Sequence, residues 1–148
     1  MMKHIAIVLM LLGVVQAQEY KAVFDCSSDD ARFILSRINL IEMTMLMIEK
    51  RGDKTKFALT LHGGCVPMVS KEYGEVVYDE DQPYIKKAQE TITRLSKKKD
   101  VEIVACAMSL ENNGLEQADV LPFVRISPNS FIDTIGYQNN GYALMTFK

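Results

Sequence analysis

The chain has 148 residues, 48% of them hydrophobic and 24% charged, with a formal net charge of −2. That length and balance fit one globular domain with a sizeable core and exclude a disordered or low-complexity chain. The weak acidity excludes a nucleic-acid binder, and the one basic run, Lys97-Lys98-Lys99, reads as solvated charge in the last turn of a helix, complementing its dipole.

Met1 to His4 is a short basic start, Ile5 to Val15 is an apolar run of eleven, and Val15-Gln16-Ala17 is a small-residue cleavage pattern. Such a run is too short to span a bilayer and has the flanks of a secretory signal. Residues 1–17 are therefore expected to be a leader cleaved after Ala17, leaving 18–148 as one periplasmic or secreted α/β domain without stable membrane insertion. An N-terminal anchor or a buried first strand is the competing reading of the same run.

Tyr20 to Asp25 reads as a first strand, followed by a turn, Cys26 to Asp30, rich in helix-capping side chains. Ile34, Ile38, Ile41, Met45 and Ile48 then step by four and three, which predicts a long helix from Ala31 to about Lys50, stopped by Gly52. Phe33, Leu40, Met43 and Met47 make the apolar face unusually wide. A subunit contact or burial under a neighbouring loop would each account for it. Lys56 to Leu61 predicts a second strand, and His62-Gly63-Gly64-Cys65 the turn leaving it. A short helix from Val66 to Tyr73 and an irregular acidic stretch, Glu75 to Gln82, follow.

Pro83 opens a second amphipathic helix whose stripe is Ile85, Ala88, Ile92 and Leu95. Val101 to Ala105 is the third strand, Val124 to Ser127 a short fourth, and Tyr142 to Phe147 the last. A connecting segment, Leu115 to Leu121, and a short helix capped by Asn129 or Ser130 lie between them. Strands alternating with helices at this spacing imply βαβ units and a mainly parallel sheet covered on both faces.

The three cysteines all fall at or just past strand ends: Cys26, Cys65 and Cys106. The carboxyl edge of a parallel sheet is where α/β proteins keep their chemistry, and a thiol before a helical turn meets N–H groups that favour the thiolate. Cys106 is thus the candidate nucleophile, although cysteine also packs as a small buried hydrophobe. An odd count in an oxidising compartment leaves at least one cysteine free, capped, metal-bound or joined to another chain. Cys65 could resolve a persulfide on Cys106 or pair with Cys26, and His62 could serve as a base beside a thiol or simply pack against its turn.

Met43, Met45 and Met47 raise a distant alternative, a periplasmic copper-binding protein, but residues two apart on a helix point in different directions and favour core and interface filling. No phosphate loop, serine elbow or zinc spacing occurs, and no cofactor or metal is expected.

Taken together, the strand ending at His62-Gly63, the Cys106 strand with Gly114 eight residues on, and the closing run LPFVRISPNSFIDTIGYQNNGYALM resemble the DsrE family of sulfur-oxidation and sulfur-relay proteins. The resemblance runs from about Tyr20 to the end. It implies a three-layer α/β/α fold with a parallel sheet of about five strands, and a homo-oligomer, trimer or hexamer. It also implies a persulfide-carrying cysteine after the third strand, which Cys106 matches by position. Relay members are cytoplasmic and carry basic residues before that glycine, whereas Asn112 and Asn113 stand here behind an apparent leader. The expectation is an exported sulfur carrier, more a carrier than an enzyme, with Cys106 accepting sulfur and Cys65 and His62 as helpers. Its partner would be a sulfur-donor or acceptor protein or a small sulfur compound. The alternative is a non-catalytic oligomeric binding or interaction module of the same fold.

Overall fold

The structure, a computed structural model, describes residues 16–147. The elements are β1 (Glu19–Cys26), α1 (Ala31–Lys50), β2 (Lys54–Leu61), α2 (Gln82–Leu95), β3 (Val101–Cys106), α3 (Ala107–Asn112), β4 (Arg125–Ser127), α4 (Ser130–Asn139) and β5 (Ala143–Phe147). The strands form one five-stranded sheet in the order β4-β3-β2-β1-β5, and every pairing in it is parallel.

That order dictates the layers. From β1 through β2 and β3 to β4 the chain steps in one direction, so right-handed crossovers place α1 and α2 together on one face. The return from β4 to β5 passes over three strands in the opposite direction, and the same handedness places α4 on the other face. The result is the expected α/β/α sandwich. Side chains alternate accordingly. Phe24, Cys26, Leu59, Leu61, Ile103 and Ala105 pack with Ile34, Ile38, Ile41, Met45, Ile85, Ala88 and Ile92 in the main core. Val23, Ala58, Thr60 and Val104, at the intervening positions, are buried against the α4 side.

Asp30 caps α1, its carboxylate accepting from the N–H groups of Arg32 and Phe33 at 3.0 Å each. Gly52, at φ +84°, takes the left-handed position that ends the helix. On the second stripe of α1, Phe33 packs edge-on against Phe147, but Leu40, Met43 and Met47 are exposed, so no loop covers them. Leu40 borders a groove of about 530 Å³ between α1 and the outer strand β5, floored by Ala22, Phe24 and Met145.

Two elements depart from expectation. The helix predicted from Val66 to Tyr73 is instead a 3₁₀ segment over Gly63–Val69. It stops because the chain is captured sideways: Ser70 bridges Val120, Leu121 N–H donates to the Val69 carbonyl, and Lys71 N–H to the Asp119 carbonyl. Likewise α2 ends at Leu95, so Lys97, Lys98 and Lys99 lie in the turn beyond it and not in its last turn. The expected leader falls outside the described residues except for Gln16 and Ala17, which are exposed. No helix among the described residues is long and apolar enough to cross a membrane.

Candidate functional site

The carboxyl edge of the sheet gathers all three cysteines, but on two different faces. Cys26 pairs in register with Leu61, and Leu61 with Ala105, so Cys106 lies one residue beyond the row that contains Cys26. One residue along a strand reverses the face. Cys26 therefore points into the α1 core, where it forms a disulfide with Cys65, and Cys106 points to the α4 side as the free cysteine among the described residues. Of the two partners open to Cys65, the structure has Cys26; Cys65 does not stand beside Cys106 as a resolving thiol.

Local backbone fit makes the bridge possible. Gly64 runs so close to the β1–α1 turn that a Cβ there would come within 2.6 Å of Asp29 Cα and 2.7 Å of the Ser28 carbonyl oxygen. Gly63 adopts φ +52°, donates its N–H to Ser109 Oγ at 3.0 Å and accepts from Asn113 Nδ2 at 3.2 Å. Asn113, whose Nδ2 also donates to the Ser109 carbonyl at 2.8 Å, is thus a bracket between α3 and the His62 loop.

Cys106 is only 4% exposed, yet its surroundings are polar. Burial raises the thiol's pKa, but the Ser109 hydroxyl, the Ser130 N–H, the Ser109 N–H and the Ser130 hydroxyl outweigh it and hold the thiol below its ordinary value. The neutral thiol forms no capping bond to α3, so these donors stand ready for the anion. They come from two helix starts: α3 begins directly after Cys106, and α4 begins at Ser130.

The next strand over supplies His62, and the one after that Asp25. The imidazole Nε2 lies 3.2 Å from each Asp25 carboxylate oxygen, and Thr60 Oγ1 donates to Asp25 Oδ1 at 2.8 Å. The Asp25 hydrogen bond raises the His62 pKa above its ordinary value against the opposing effect of burial, with further support from the charges of Asp25 and Cys106. Partial burial works against ionisation of Asp25, but His62 and Thr60 bring its pKa below the ordinary carboxylate value. Cys106 and His62 were both legible as candidates; Asp25, Ser109 and Ser130 were not singled out for this chemistry. An acidic residue directly after the apolar run Ala22-Val23-Phe24 was the available signal for Asp25.

The remaining candidates disperse. Met45 is buried in the core while Met43 and Met47 face outward, so the three thioethers do not converge. Among the described residues, no group of three His, Cys, Asp or Glu side chains is arranged to hold a metal ion.

Comparison with known proteins bears on this geometry directly. The DsrE/DsrF-like family model matches residues 21–147, a span that includes every strand from β1 to β5 in whole or nearly so. The chain belongs to the DsrE/DsrF-like family. An uncharacterized protein of Aquifex aeolicus (strain VF5) is 30% identical over 146 residues, covering 99% of this chain and 64% of that relative, so this chain spans somewhat under two thirds of the relative's length. A solved structure, a protein of unknown function from Methanobacterium thermoautotrophicum, superposes with a TM-score of 0.66 at 17% identity, covering 86% of this chain and 99% of the other. That likeness confirms the α/β architecture. Membership of a DsrE/DsrF-like family gives the chain a fold related to sulfur relay.

Proposed function

We propose that this DsrE/DsrF-like protein is an exported sulfur carrier that takes sulfane sulfur onto Cys106 as a persulfide and passes it to an acceptor. The observation that carries this reading is the environment of the free thiol: a strand-end sulfur met by the hydroxyl and N–H groups of two serines, Ser109 and Ser130, at the starts of α3 and α4, which favour the thiolate, the form that attacks sulfane sulfur. Family membership points the same way. Because Cys65 is bound to Cys26, the sulfur leaves Cys106 by attack of an external thiol or sulfur nucleophile. Export is supported by the Ile5 to Val15 run and by a disulfide suited to an oxidising compartment. The exposed apolar side chains Leu40, Met43 and Met47 on α1, with Phe131, Ile132 and Ile135 on α4, support a homo-oligomer, for which sedimentation of the protein without its leader at micromolar concentration is the measurement.

Mass spectrometry after incubation with polysulfide tests the carrier function. The expected result is a gain of about 32 Da on the Cys106 peptide, absent from Cys106→Ser. No gain under conditions that load a small reference thiol overturns it. A second reading, a binding module of the same fold in which the cysteine is only packing, is favoured by the slight exposure of Cys106. It predicts that iodoacetamide labels Cys106 only after unfolding.

A further inference from the structure

The geometry points to Asp25 as a positioning residue for sulfur transfer: it commits His62 Nε2 to its carboxylate, leaving Nδ1 to deliver a proton to the group displaced when Cys106 takes up sulfur. The inference rests on the carrier function proposed above and adds to it the proton source. The register carries it. Asp25 pairs with Thr60 and Thr60 with Val104; His62, just past the end of β2, and Cys106, at the end of β3, each stand two residues beyond that row, which puts all three on the α4 side with Asp25 one step below the other two.

Asp25 is fixed before His62 reaches it. Thr60, fully buried, holds one carboxylate oxygen at 2.8 Å. Both oxygens then face Nε2 at 3.2 Å. A histidine with one nitrogen engaged by a carboxylate has a defined orientation and a single nitrogen left for proton exchange. Among the described residues, the titratable groups that act on His62 are Asp25 from β1 and Cys106 from β3; α3 and α4 contribute the neutral hydroxyls of Ser109 and Ser130 around the thiol.

The step balances without an outside oxidant. The Cys106 thiolate supplies an electron pair to the terminal sulfane sulfur of a polysulfide, forming a new S–S bond. The bond behind that sulfur breaks, its electron pair leaves with the shortened polysulfide, and the imidazolium proton at Nδ1 passes to that leaving group. Cys106 ends as the persulfide and His62 as neutral imidazole, which regains its proton from water. Sulfane sulfur is transferred at unchanged oxidation level, so no electron acceptor is needed.

The test compares two reactions of the same thiol in the full folded protein. Persulfide loading from polysulfide needs thiolate and proton donor; alkylation by iodoacetamide needs the thiolate alone, since iodide leaves unprotonated. Asp25→Asn is expected to slow loading about tenfold at neutral pH and His62→Gln about a hundredfold, with alkylation changed less than about threefold. The alkaline limb of the loading profile, where His62 loses its proton, moves to lower pH in Asp25→Asn. Thr60→Val, nearly isosteric, shifts it the same way by a smaller amount and serves if Asp25→Asn folds poorly. Loading in the parent with an unchanged profile in both variants overturns the role of Asp25 and leaves the carrier function standing. No loading of the parent overturns both.

Discussion

The carboxyl edge contains two sulfur sites built from the same raw material and put to opposite uses. At the β1–β2 end, Cys26 and Cys65 are fully buried against the α1 core and joined to one another. At the β3 end, Cys106 is unpaired and faces serine donors beneath the start of α4. A single residue of stagger separates them, because it sends one sulfur to each face of the sheet. The contrast shows that strand-end position alone does not make a cysteine reactive; what lies on the face it points to does.

The largest expected effect belongs to the bridged end. Closing a loop across 39 residues restricts the unfolded chain, so the double variant Cys26→Ala/Cys65→Ala should lose about 4 kcal/mol in denaturant unfolding while alkylation of Cys106 persists. Loss of Cys106 labelling in the still-folded variant would show that the two ends are not separable. Thiol counting under denaturing, non-reducing conditions should find one reactive thiol per chain; three would break the comparison outright.

Gly64→Ala comes next. Its added Cβ collides with backbone and not with a flexible side-chain tip, so a cost of about 1–3 kcal/mol is expected, read as a lower urea midpoint with unchanged slope. The smallest effect concerns the Asp25–His62 pair. His62 has its pKa raised above 6.5 in the folded protein, so its stabilisation is complete below 6.5 and is lost as pH rises through the folded value. Asp25, lowered from 3.8, keeps its contribution above 3.8 and loses it as pH falls through its depressed value. The stability difference between the parent and Asp25→Asn should therefore be greater at pH 6 than at pH 9, by under about 1 kcal/mol because solvent reaches both groups. A difference that grows with pH would contradict the assigned sign.

Much of this fold is legible in local pattern. The Ile34-to-Ile48 stripe and the alternation of strands with amphipathic helices lead to the sandwich, because burial on a 3.6-residue or two-residue period is written in neighbouring residues. The disulfide is less so: whether Cys26 or Cys106 faces Cys65 depends on register between separate strands, which no single segment encodes. Ser130 looked like a helix cap and nothing more, since its nearness to Cys106 arises only when α4 crosses the sheet. The expected helix after Cys65 failed for a similar reason: its capture by Val120 involves a partner fifty residues away.

Helix α4 is fastened at its far side as well. Arg125 joins Glu102 at 2.6 Å to Asp133 at 2.7 Å, and Tyr137 donates to Glu102. From there the chain turns directly into β5, the outermost strand on its side of the sheet. One rigid rod thus links the sheet's open margin to the amide and hydroxyl of Ser130 above the sulfur. Substitutions along that margin therefore bear on the same helix that sets these two donors over Cys106.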